Sequence, residues 1–567
     1  MRSNKCKIAS SQQVSKTIKQ SSKATIFILM SSLFIAACGS SDEAVTSPPP
    51  EPAPPPAKTQ LNEAQASAFL NRASFGATRE SIDALVNSNV EDWFSEQYNL
   101  SPTLLLPYIL ALPDQENIRT PHRVRGWWLN VVKGDDQLRQ RVGFALSEIF
   151  VASDINGFLF NQQQGMASFY DLLVNNAFGN YRDLLEDVTL HPVMGIYLSM
   201  LGNRRPDPQR NIRPDENYAR EVMQLFSIGL VMLNQDGTFI QDGEGKAIPT
   251  YDQPIIEAFA HVFTGWNFAG TVDFFRPDIN MLEPMEAMEN FHDTGEKSLL
   301  NGLVLPAAQS AYEDLTMALD NIFNHQNVGP FISSQLIQRL VTSNPSPEYV
   351  SRVAGVFNDN GSGVRGNLGA VIFAILTDDE ALNGAQNLPE TFGKLREPLI
   401  RNAHFWRVFN AETASGVLPF GWPDFVYGQS PQRAPHVFNF FYPDYAPPGE
   451  VSQAGMVAPE FQIASESNLT GMHNAMLYFS IGSYDGTGTR ENDDIILELD
   501  DLLALANDHQ ALVDELDMQF TAGQMTPAMK AEIVGYLDLY PQAGLERIKV
   551  MEASFLIISS HEYAIQK

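Results

Sequence analysis

The chain has almost no cysteine: two residues in 567, Cys6 and Cys38. Neither can build a disulfide framework in the body of the chain, so a folded domain must draw its stability from the size of its core. From Leu61 onward about 500 residues remain, enough for a large core or two to three domains. Familiar catalytic signatures are missing as well: there is no HExxH, no paired CxxC, no GxSxG and no Walker lysine loop. The literal GxGxxG at Gly361 to Gly366 follows a helical pattern, whereas a dinucleotide loop follows a strand. With Asn367 behind it as an ordinary N-cap, it predicts a turn. Cations are scarce too. Without the six in the N-terminal lead, 31 basic residues face 67 acidic ones, a balance of −36. Such a surface repels phosphate backbones and anionic membranes, which argues against nucleic acid as a partner. Beyond the N-terminus no apolar run reaches transmembrane length.

The N-terminus carries the clearest positive signal. Arg2, Lys5, Lys7, Lys16, Lys19 and Lys23 form a basic lead, followed by the apolar run Ala24 to Ala37. The run is short for a membrane span and has the flanks of a secretory signal. Ile35-Ala36-Ala37-Cys38 resembles the lipobox of bacterial lipoproteins, which implies cleavage before Cys38 and its acylation. Gly39, where an Asp would retain the protein, implies export to the outer membrane of a Gram-negative envelope, facing the periplasm or the cell surface. The lipid bilayer, reached through Cys38, is therefore the first expected partner. The expected layout is a signal peptide over 1–37, a Pro/Ser-rich tether over 38–60 and a helical domain over 61–567. A sub-boundary is possible near 400–460.

Helical periodicity dominates that domain. Asn62 caps a helix ending near Gly76, and Leu138, Val142, Ala145, Leu146, Ile149 and Phe150 recur at three- and four-residue intervals. A helix runs from Asn180 to Pro192. Another begins at Pro254, with Thr250 and Gln253 at capping-box spacing. Later helices are expected at Tyr349–Phe357, Leu368–Leu376, Ile495–Ala506, Pro527–Leu539 and Gly544–Ile558. Asp236-Gly237 and Asp242-Gly243 suggest a small hairpin excursion before Tyr251. Pro, Gly and aromatic residues between Leu418 and Pro459 predict an irregular wrap. The expected fold is all-α, one large multi-helix body.

The stretch Arg213 to Leu230 (RPDENYAREVMQLFSIGL) places Asn217, Arg220, Glu221, Gln224 and Ser227 on an arc of about 120° at helical spacing. Ile228 falls inside that arc, against free solvent there. Read as a site, Glu221 is a base or ligand, Arg220 an anion clamp and Asn217 an orienter; read as structure, the same groups form a buried network. A second cluster lies in NFHDTGEKSLL. His292 and Asp293 could act as acid and base or bind a divalent ion, or the segment could be a turn with Lys297 paired to a carboxylate. His191 reads as a helix C-cap cation, and His261 as a satisfied core histidine. His436 belongs either to a carbohydrate-stacking surface or to a core seam. The acidic run from Tyr484 to Asp501 reads as a loop leading into a helix.

Taken in order, FLNRASFGAT, LRQRVGFALSEIFVASD, NNAFGNYRDLLEDVTLHPVMGIYLSM, RPDENYAREVMQLFSIGL, FTGWNF, FHDTGEKSLL and VFNFFYPDY resemble the bacterial family called domain of unknown function 1800. The resemblance implies a mostly helical exported protein with no established activity. It also implies an association with envelope proteins of the domain of unknown function 1501 family, which resembles the alkaline phosphatase and sulfatase superfamily. Its motif residues here are Asn217, Tyr218, Ala219, Arg220, Glu221, Gly265, Trp266, His292, Asp293 and Lys297.

Two functions follow as expectations. The first is an envelope-anchored lipoprotein that binds or organises a partner protein or extracellular polymer, with Asn217, Lys297 and Trp266 in contact. The alternative is a hydrolase-like or metal-assisted enzyme using Glu221, Arg220, His292 and Asp293. The enzyme requires the tips of Glu221 and His292 within about 8 Å of each other in an open cleft.

Overall fold

The computed structural model describes residues 58–481, 494–540 and 544–567. The expected signal peptide, Cys38 and the expected tether to residue 57 lie outside the described residues. Local chemistry starts many of the helices. Asn62 accepts from Gln65 N while the Gln65 side chain returns to Asn62 N, opening the helix Glu63–Ala73. This reciprocal box satisfies two donors that no helical carbonyl reaches. Asn180 opens Tyr181–Leu190, Ser310 opens Ala311–Phe323 and Asn367 opens Leu368–Thr377. Before Asn367 the GxGxxG segment is a turn, with Gly361, Gly363 and Gly366 at positive φ.

Helix accounts for 54% of the structure and strand for 5%, an all-α body. Strands occur as antiparallel two-residue pairs: Trp266–Asn267 with Glu286–Ala287, Lys297–Ser298 with Val304–Leu305, and Lys394–Leu395 with Ile565–Gln566. The hairpin excursion is present as bridges Val231–Pro249, Leu233–Phe239 and Gln241–Ala247. Buried Asn327 holds its base, accepting from Leu233 N at 2.9 Å and donating to Ile228 O and Val231 O at 2.8 and 2.7 Å. Between 418 and 459 the chain forms only the short helices Asp424–Tyr427 and Glu450–Gln453, so the aromatic wrap is irregular as expected.

Two boundaries differ from expectation. Asp252, not Thr250, caps the helix Gln253–Val262, accepting from Ile255 N, while Thr250 donates to Gly229 O at the hairpin base. The helix expected from Ile495 begins at Asp500. Ile495, Leu497 and Leu499 are buried in alternation and Ile496 pairs with Glu412, so a two-residue period rules there.

Two large apolar clusters fill the body. One is built from residues between Leu61 and Phe392, the other from Phe75, the segment Leu105–Val174 and residues from Leu399 to Tyr563. No helix among the described residues is long and apolar enough to cross a membrane.

Candidate functional site

The helix Asn217–Gln224 turns its polar residues to three different surroundings. Asn217 is exposed at the first turn, its backbone N–H bonded to Asp215. Arg220 reaches back to Glu216 at 3.0 Å, and Gln253 donates to the same carboxylate, a surface network of small energetic weight. Glu221 is buried to 9% exposure and its Oε2 has no partner. Burial raises its pKa, with Arg220 opposing. The phenols of Tyr197 and Tyr251 are pushed up to about 12 by burial and by the Glu221 charge. Gln224, one turn on, is half-buried and faces a groove. The four polar groups therefore do not bond into one network.

The adjacent residues His292 and Asp293 are divided between two environments. His292 is fully buried, its Nε2 3.0 Å from Asp314 and its Nδ1 2.9 Å from Thr264 O. Lys297 joins the same Asp314 oxygen at 2.6 Å and donates to Asp293 O and Gly295 O. Gly265 permits this approach: at φ +90°, a Cβ there would stand 2.9 Å from His292 N. Asp293 points the other way and pairs with His261 Nδ1. The His261 bond, the Gly295 N–H and Lys297 hold its carboxyl down to about 2 against the effect of burial. His261 is thus a half-buried hydrogen-bond partner of Asp293, not a core histidine. His292 and Lys297 are sealed, and Trp266 is 1% exposed within its strand pair, so neither Lys297 nor Trp266 offers a contact surface. The open cleft required of Glu221 with His292 does not exist at His292. Among the described residues no group of three or more His, Cys, Asp or Glu is placed to hold a metal ion.

A groove of about 450 Å³ lies between the hairpin base, the helix Val328–Leu340 and the aromatic segment Val437–Asp444. Leu230 and Phe239 form the hairpin wall, at 55% and 59% exposure; Phe331 and Ser334 come from the helix; Phe438 and Tyr442 form the third wall. His436 stacks on Tyr442 at 5.1 Å, so that histidine belongs to a half-exposed aromatic surface and not to a core seam. The aromatic segment is pinned by charge. Asp154 takes Arg123 at 2.8 Å and Arg433 at 2.6 Å, all beneath the surface. At the inner end lie Glu148 and Arg339, 3% and 2% exposed. Asn439 adopts φ +68°, a conformation Asn tolerates, and donates to Glu148 Oε1 at 2.9 Å.

Sequence reasoning missed Glu148 and Arg339 because one caps the end of the helix Gln137–Ser147 and the other sits in the last turn of Val328–Leu340, where a charge reads as a wet helix end. The one available signal was the crowding of Phe438, Phe440, Phe441 and Tyr442 beyond what a surface loop needs.

No curated protein and no solved structure matches this chain. The family model described as "Protein of unknown function (DUF1800)" matches residues 68–565. The chain therefore belongs to the domain of unknown function 1800 family.

Proposed function

We propose that this protein is a tethered binding protein of the cell envelope, and that the groove between the hairpin, the helix Val328–Leu340 and the aromatic segment holds an elongated, mostly apolar ligand. Anchoring rests on the lipobox at Cys38. Binding rests on one observation: large apolar side chains, Leu230, Phe239 and Tyr442 among them, stand exposed around a single concave surface. Exposed apolar groups gathered in this way mark a binding surface, whereas scattered ones do not. The burial of His292 and the separation of His292 from Asp293 weigh against the hydrolase alternative.

The test uses the mature chain and N-phenyl-1-naphthylamine, an uncharged dye that brightens in apolar sites. Phe239→Ala and Tyr442→Ala both lie at exposed positions and should leave folding intact, yet each should weaken dye binding about tenfold, as expected for a lost aromatic contact. Dye binding equal to that of the unaltered protein in both variants overturns the reading.

A further inference from the structure

The groove's inner end has an electrostatic property that its apolar walls do not explain. Arg339 is 2% exposed and lines the groove, yet its side chain makes no hydrogen bond; Nε and Nη1 have no partner. Its ring neighbour, Phe441 at 5.4 Å, supplies only a π face. The nearest carboxylate oxygen, Glu148 Oε2, stands 3.5 Å from Nε. Glu148 is a poor counterion. Burial, then the charge of Glu397, push its carboxyl well above the usual range. Asn439 donates to its other oxygen. Glu397, by contrast, is held down against burial by Lys394, Arg141 and Gln429. Lys394 is further committed to Glu460 at 2.9 Å. Glu148 Oε2 takes no hydrogen bond, so the carboxylate beside Arg339 acts on it only by charge across 3.5 Å and leaves the guanidinium fork open. A buried guanidinium without hydrogen-bond partners is costly, and its planar fork fits a carboxylate.

We propose that Arg339, at the inner end of the groove, binds the carboxylate of a long-chain aliphatic monocarboxylate whose hydrocarbon body lies against Leu230, Phe239, Phe331 and Tyr442. This rests on the groove being a binding site and names the class of its ligand. An aliphatic chain suits the walls better than a peptide strand. A strand brings a donor and an acceptor with every residue, and each needs a partner when buried. Two of the groove's three glutamines are already engaged: Gln338 donates to Ser343 O and Pro443 O, and Gln335 to Leu225 O. The aliphatic tail asks for none, and a single carboxylate at the floor meets the open guanidinium fork of Arg339. The strongly acidic surface elsewhere limits the fit to a ligand of low charge.

The experiment displaces N-phenyl-1-naphthylamine from the mature protein with dodecanoate and, in parallel, with dodecanol. Dodecanoate should compete about tenfold to a hundredfold more strongly, the range a charge-assisted hydrogen bond commands. Arg339→Met should abolish that preference and leave displacement by dodecanol unchanged, whereas Glu148→Gln should keep it. If Arg339→Met does not fold, the head-group comparison on the unaltered protein still decides. Equal competition by acid and alcohol overturns the carboxylate assignment while leaving the groove a binding site. Failure of the dye to bind, or of both ligands to displace it, overturns the groove reading itself. Selective displacement by a peptide with a free C-terminus, with none by dodecanoate, assigns the cation to a protein partner and overturns the aliphatic ligand.

Discussion

At position 191 a histidine closes one helix, Tyr181–Leu190, and opens the next, Pro192–Tyr197. Placed at a C-terminus it reads as a cation serving the dipole, but the fold uses it uncharged. Its Nδ1 accepts from Val193 N, and burial holds its pKa down to about 3. The unfolded chain takes up its proton near the ordinary value of about 6.5. The folded form therefore has its full advantage above that pH, and loses it as pH falls toward 3. By pH 5 the loss through this group is about 2 kcal/mol. Urea unfolding at pH 7 and pH 5 checks it: His191→Asn, which keeps a capping acceptor, should show a pH dependence shallower by that amount. Parallel slopes for the two proteins count against a neutral, buried His191. The lesson extends to His292 and Asp293. Adjacency in sequence suggested a pair, but backbone direction sends neighbouring side chains to different partners, Asp314 and His261.

Among elements, the helix Gln253–Val262 shows what spacing can and cannot decide. Thr250, Asp252 and Gln253 all suit a helix start, and the Thr250–Gln253 interval matches a capping box. Spacing cannot tell that the Thr250 hydroxyl is drawn away to Gly229 O by the hairpin, which leaves Asp252 to meet Ile255 N. Asp252→Ala should therefore cost about 1 kcal/mol, the usual worth of an N-cap. Thr250→Ala should leave the helix intact and loosen the hairpin base. Amide hydrogen exchange separates the two, with faster exchange at Ile255 and Ile256 for the first and at Thr250 and Met232 for the second. Faster exchange at Ile255 in the Thr250 variant contradicts the assignment. The starts after Asn62, Asn180 and Asn367 were legible because those caps have no such competitor. The start at Asp500 was not, because Ile495 to Leu499 satisfies apolar spacing for helix and strand alike until Glu412 selects the strand.

Across the whole molecule, the all-α class was legible because helical periodicity is a local property. The groove and its floor were not, since Glu148, Arg339, Lys394, Glu397 and Glu460 come from distant parts of the chain and meet only through tertiary packing. That meeting joins the two apolar clusters: helix Val328–Leu340 belongs to the first, Leu399 onward to the second, and Lys394 lies between them. Lys394 Nζ donates to Gln338 O and Arg339 O at 2.9 Å each and pairs with Glu460. Its strand pairs with Ile565–Gln566, and Gln566 donates to Leu340 O and Val341 O, so the chain's last strand closes over the same junction. Lys394→Met removes the cation and leaves Glu397 and Glu460 buried with less compensation, a change worth about 3–5 kcal/mol when one partner of a buried pair is lost. Because the loss falls between two cores, it should divide one cooperative urea transition into two, followed by tryptophan fluorescence and by far-UV circular dichroism. Adding Glu460→Met to Lys394→Met removes an orphaned carboxylate and should recover part of the stability, a coupling that a double-mutant cycle reads directly. A single, unshifted transition in Lys394→Met would mean that apolar packing alone joins the two halves and that the charged cluster contributes little to their union.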